Sequence, residues 1–219
     1  NDPAGLAWTS QAVAIPHPLI TLDGGAALYV DGEGKRWRLP RGDPALDVPG
    51  SLGAERLCRE VCTERNLLNV HGTFYELPAD NAGGFAKLRP IATHNRRIVD
   101  FASYRGLLIP SGITDAAQGS RIIRSDDGQC ALWVGVVDDL WAFGKPRGTL
   151  AVWLGSSVKT GVPSDACLAT GYDHKRLTLS HASSRSVTFR IEADFTGTGA
   201  WTEFDRIEVM PSRPLEYSF

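Results

Sequence analysis

Residues 19–40 read LITLDGGAALYVDGEGKRWRLP, and their reading decides the fold class. Short strand-like runs, Leu19–Leu22, 26–30 and 35–39, are split by Gly24-Gly25 and by the turn DGEG, and Pro40 closes the last of them. Such runs are too short for helices, and the glycines supply the positive φ that tight turns need, so the stretch predicts an antiparallel meander. The same rhythm continues on both sides. Residues 1–16 form an extended lead-in with one strand at 11–15, and 41–53 form a Pro/Gly/Asp loop. Only 55–64 (ERLCREVCTE) has any case for a helix, and its alternating surroundings favour a strand at 59–63.

An echo follows. Trp37-Arg38-Leu39-Pro40 returns as Tyr75-Glu76-Leu77-Pro78, and aliphatic runs at Ile20, Leu68 and Leu108 each open a new meander. Units of roughly 40 residues built from short strands are the mark of β-propeller blades. A third unit spans 97–140, with the turn Ser125–Gly128 leading into a buried strand at 130–134, and a strand is expected near 150–154. After Ala166 the chain alternates cleanly. Val187, Phe189, Ile191 and Ala193 face one way, while Thr188, Arg190 and Glu192 face the other, as in the half-buried sheet of a β-sandwich. The expectation is an all-β chain with propeller-like blades over 1–163, an incomplete ring as given, and a β-sandwich-like module over 164–219.

The bulk composition removes several functions. With 219 residues, a net charge of −2 and a pI near 6.2, the chain lacks the basic excess of a nucleic-acid binder. No apolar run reaches the ~18 residues of a membrane span. The chain begins at Asn1 without a signal-peptide pattern, so a processed chain or a piece of a longer one is expected. Cys58, Cys62, Cys130 and Cys167 match no zinc spacing and read as buried free thiols, with one disulfide as the alternative. There is no phosphate-binding loop, nucleotide fingerprint, serine elbow or zinc-protease helix, and no cofactor is expected. Asp138-Asp139 lacks the alternating oxygen ligands of a calcium loop and reads as a turn, which leaves structural calcium unsupported.

The phrases DGEGKRWRLP, HGTFYELP, THNRRIVDFASYRGLL and DDGQCALWVGVVDDLW resemble the C-terminal blades of bacterial secreted β-propeller proteins that act in polysaccharide breakdown. In these, a sandwich of the TGYDHKRLTLSH…VTFRIEADFTGTGAW kind follows the propeller. A looser likeness joins 30–37 to the Asp-box turn of sialidase-type propellers, Ser-x-Asp-x-Gly-x-Thr-Trp. Gly34 and Trp37 are kept, but Gly32 and Arg36 stand where Asp and Thr belong. The resemblance implies a secreted or periplasmic location and a glycan as substrate or ligand. It also implies a second chain or a further N-terminal half to complete the propeller, because about three blades cannot close a ring.

Chemistry-bearing residues concentrate in 66–109. His71, beside Gly72 at a strand start, suits a general acid or base, or else a loop tie. His94, Arg96, Arg97, Asp100, Tyr104 and Arg105 form the densest cluster. Arginine forks would grip a sugar carboxylate while His71, His94 or Tyr104 handles the proton. Tyr75 joins Arg96, Arg97 and Arg105 as substrate-binding. Glu76 and Asp100 are the candidate carboxylate pair of a glycosidase. The six tryptophans read as core by default, and His174 and His181 as surface residues. The function expected is a glycoside hydrolase or polysaccharide lyase on a uronate- or sialate-containing glycan. The alternative is a glycan- or protein-binding module without chemistry.

Overall fold

The computed structural model describes residues 19–48, 55, 57–61, 65–113 and 118–219. The expected strand at 11–15, Trp8 and Cys62 lie outside the described residues. The architecture is all-β, in several small sheets.

The opening stretch is the meander its turns require. β1 (Leu19–Leu22), β2 (Ala27–Val30) and β3 (Arg36–Leu39) pair antiparallel in order. Each turn is locked by an aspartate. Asp23 Oδ1 accepts from the Gly25 and Ala26 amides at 2.8 Å each, and Asp31 Oδ1 accepts from Glu33 (2.9 Å) and Lys35 (2.8 Å).

A second four-stranded meander follows: β4 (Cys58–Val61), β5 (Arg65–Val70), β6 (Thr73–Leu77) and β7 (Arg89–Thr93). Strand geometry therefore wins over helix at 58–61, the described part of the ambiguous stretch. The third unit holds two hairpins, β8 (Phe101–Tyr104) with β9 (Leu107–Pro110) and β10 (Ile122–Arg124) with β11 (Ala131–Trp133). Reciprocal Leu108 and Gly135 backbone hydrogen bonds join them.

The second sheet is the middle layer. From one face Val61, Leu67, Phe74 and Ile91 pack with Phe101, Leu108, Trp133 and Leu140. From the other, Cys58, Leu68, Val70, Tyr75 and Leu77 pack with Ala27, Leu39 and Leu88 of the first sheet and its surroundings. Burial on both faces corrects the reading of Tyr75 as substrate-binding. Tyr75 is fully buried and cannot touch a glycan, and the alternation in HGTFYEL leaves only Glu76 exposed in β6. Burial also pushes the Cys58 thiol up to about 12, while Cys130 and Cys167 are exposed free thiols rather than core ones.

The Tyr75 and Tyr172 hydroxyls are both sealed from solvent without a well-formed hydrogen bond. An unsatisfied buried hydroxyl costs about 1–3 kcal/mol. Tyr75→Phe is therefore expected to leave stability unchanged or raise it by up to ~1 kcal/mol in urea denaturation; a loss beyond that would reveal a bond worth keeping.

The strand expected at 150–154 does not form. Residues 144–165 run as irregular chain, consistent with Pro146, Gly148 and Gly155, and touch the first sheet through an Arg41–Thr149 bridge and the Ala151 amide on Gly25 O (2.7 Å). β12 (Ala166–Cys167) then adds to the first sheet, parallel to β3. Arg38 fastens this edge, reaching Asp23 at 2.7 Å and Asp165 at 3.1 Å, and Arg36 reaches Asp165 at 2.9 Å.

The C-terminal strands form two pairs: β13 (Arg176–Leu179) with β16 (Leu215–Ser218), and β14 (Val187–Ala193) with β15 (Thr202–Val209). Val187, Phe189 and Ile191 are half-buried and Thr188 and Arg190 exposed, as the alternation requires. His181 ties the two pairs, donating from Nε2 to Val209 O at 2.9 Å. Among the described residues no closed barrel or propeller forms.

Candidate functional site

The 66–109 cluster divides into a polar knot and scattered surface residues. The knot begins at the turn between β5 and β6. His71 and Gly72 both have positive φ (46° and 80°), the type I′ geometry whose twist suits a two-residue hairpin. Arg105-Gly106 (51° and 82°) repeat it between β8 and β9.

This turn drives the His71 ring inward, where its side chain is 2% exposed. Nδ1 accepts from the Gly42 amide at 2.9 Å, which leaves the proton on Nε2, and Nε2 donates to Asp47 Oδ1 at 2.7 Å. Arg41 holds Asp47 from its other oxygen, and Arg41 first, then His71, keep that carboxyl below the usual carboxylate range.

His94 is used up in the same way. Its Nδ1 accepts from the Arg96 amide at 3.0 Å, and its Nε2 donates to Asn69 Oδ1 at 3.1 Å; Asn69 in turn donates to Ile98 O at 3.3 Å. Burial lowers the His94 pKa to about 4, so the ring is neutral at pH 7. Arg97 closes the knot with hydrogen bonds to Glu55 (3.5 Å) and to Ala45 O. A general base needs a free lone pair within reach of its proton. Both imidazoles spend theirs on backbone amides and fasten the 41–47, 71–72 and 94–97 loops to one another.

The remaining expected residues diverge from this knot. Arg96 is exposed. Arg105 lies over the Tyr104 ring, 5.3 Å from its centroid, at the tip of the β8–β9 hairpin. Asp100 caps the Phe101 amide at 2.7 Å and faces Arg59 at 3.7 Å. It does not join Glu76.

Glu76 instead lines a shallow cleft of about 30 Å3 with Asn66, Ile91, Asp138 and Trp141. The far wall is the 3-10 helix Val137–Phe143. Side chains three apart eclipse in such a helix. Val137, Leu140 and Phe143 therefore share the core-facing side, and Asp138 and Trp141 share the cleft side. Asp139 points elsewhere, accepting from the Val136 amide at 2.8 Å and from both Nη groups of Arg121. The two aspartates thus diverge, and no group of three or more His, Cys, Asp or Glu side chains converges on a metal position among the described residues.

Trp141 is 64% exposed and corrects the reading of the tryptophans as core, as do Trp153 and Trp201; of the five described tryptophans Trp133 alone is buried. Reading DDLW with a period of three would have placed Asp138 and Trp141 together; a turn reading hides it. The cleft holds little more than a water, so a ligand would lie across its mouth against the indole. Among the described residues no helix is long and apolar enough to cross a membrane.

Comparison of the chain with protein-family models, with curated proteins and with solved structures found no match.

Proposed function

We propose that the chain is a glycan-binding β-protein whose sugar platform is Trp141, with Asn66, Glu76 and Asp138 taking the sugar hydroxyls. The observation that carries this reading is an exposed indole beside two carboxylates and an amide on a rigid rim. Apolar ring faces stack on aromatics, and hydroxyls donate to carboxylates at the edge. Carboxylates in the cleft favour a neutral glycan over a uronate or sialate there. The arginines expected to grip an acid stand elsewhere, and His71 and His94 have no free lone pair for a lyase step. Binding is therefore the better-supported reading than turnover.

The three meanders belong to the same proposal as successive propeller-like blades. Their face-to-face stacking about the β4–β7 sheet supports this, and a second chain or further blades would close such a ring. The resemblance to secreted polysaccharide-active proteins agrees with a glycan ligand and an extracellular setting.

Calorimetric titration with neutral and acidic oligosaccharides tests the site. Trp141→Ala is expected to weaken binding by roughly tenfold or more, the scale of one ~1.4 kcal/mol contact, while Trp153→Ala binds as wild type. Equal binding by Trp141→Ala, or no binding to any glycan, would end the proposal. New reducing ends that vanish in Glu76→Gln would turn it into a hydrolase.

A further inference from the structure

Among the described residues β14–β15 is the longest strand pair, no further strand pairs with either of its edges, and the two edges differ. β15 is kinked by a bulge that leaves Phe204 without an opposite residue, because Ile191 faces Asp205 and the next residue, Glu192, faces Glu203. It also carries three carboxylates, Glu203, Asp205 and Glu208, against Arg206. A bulge and like charges are how natural sheets keep an edge from pairing. β14 has neither device. Its charges are one arginine and one glutamate, the exposed Arg190 and the half-buried Glu192, which already lie 3.0 Å apart on one face.

We infer that β14 pairs with β14 of a second copy, antiparallel about Ile191, to make a continuous four-stranded sheet. The register follows from charge. Centred on Ile191, each Arg190 meets Glu192 of the partner, twice by symmetry, and Phe189 meets Ala193. Centring on residue 190 sets arginine on arginine, and centring on 192 sets glutamate on glutamate. Slipping by one residue puts the apolar face of one copy against the polar face of the other. Opposite charges directly across a ladder stabilise it and like charges weaken it, so among registers that keep the faces in phase the one centred on Ile191 sets arginine against glutamate.

Sedimentation equilibrium across a wide concentration range reads the outcome without any glycan. Wild type is expected to reach twice the 23.7 kDa chain mass. Arg190→Glu turns both cross-pairs into glutamate on glutamate, and Glu192→Arg turns both into arginine on arginine. Each is expected to raise the dimer Kd at least tenfold, and the double swap to restore it. Both side chains lie on the surface, so the folded state survives each change, checked by circular dichroism. A wild type that stays monomeric at every concentration overturns the inference. So do single swaps that dimerise undiminished, or a double swap that does not recover.

Discussion

Lowering the pH from 7.5 to 4 is expected to remove about 3 kcal/mol of stability through His94 alone. The ring's folded pKa is about 4 against an ordinary 6.5, mainly because burial disfavours the imidazolium, with the Arg96 charge adding to the effect. Each pKa unit is worth ~1.4 kcal/mol. Between pH 6.5 and 4 the unfolded chain binds the proton and the folded one does not, so unfolding takes up protons and stability falls as the pH falls. The contribution is complete above 6.5 and lost through that window. Protonation would also place an N–H on Nδ1 against the Arg96 amide, donor against donor.

Carboxylates held below the usual range, Asp47 and Glu203 among them, begin to give up their share only from about pH 5 downward, so the slope between pH 7.5 and 5 is where His94 is read. Urea denaturation at steps between pH 7.5 and 4 checks the slope. His94→Gln, which can still accept from Arg96 and donate to Asn69, is expected to be less stable at pH 7.5 and nearly flat between pH 7.5 and 5. A wild type equally stable at both ends would show that His94 is not neutral in the fold.

The parts of the fold that were legible in the sequence are those where local chemistry decides. Asp23 and Asp31 set the first two turns by bonding their own backbone, and that depends on neighbours a few residues away. The alternation of 187–193 needed only one wet face and one half-dry face. What escaped was set by distant parts of the chain. Tyr75 read as a substrate-binding residue, but a second layer covers its side of β6. β12 is two residues long and owes its existence to β3, more than a hundred residues earlier. His71 and Arg105 sit where Asn or Asp usually precedes glycine in a type I′ turn, so their turns gave no familiar signal, and their chemistry drew attention to a site instead. In His71 the ring that looked catalytic is consumed in holding the strained turn against the 41–47 loop. Trp141 and Asp138 were visible as residues but not as neighbours, because only a 3-10 period brings them together.

Phe74→Ala is expected to cost about 3–5 kcal/mol, the range for emptying a buried phenylalanine, which is a large share of the ~5–15 kcal/mol that holds a typical domain. Phe74 is fully buried in the middle sheet, edge-on to Phe101 at 5.6 Å and 4.7 Å from the His94 ring. The cavity would therefore open beside the imidazole whose neutrality depends on being dry. Water entering it would solvate the imidazolium and bring the folded pKa back toward 6.5. Two readouts should then move together: stability at pH 7.5 drops, and the loss between pH 7.5 and 4 becomes smaller than in wild type. Phe74→Leu keeps most of the volume and is expected to lose less stability while retaining the pH slope. An NMR titration of His94 separates this coupling from simple loosening. If Phe74→Ala lowers stability but leaves the His94 titration near 4, the aromatic contact is packing only, and the histidine is kept neutral by its bonds to Asn69 and Arg96 rather than by the dry wall beside it.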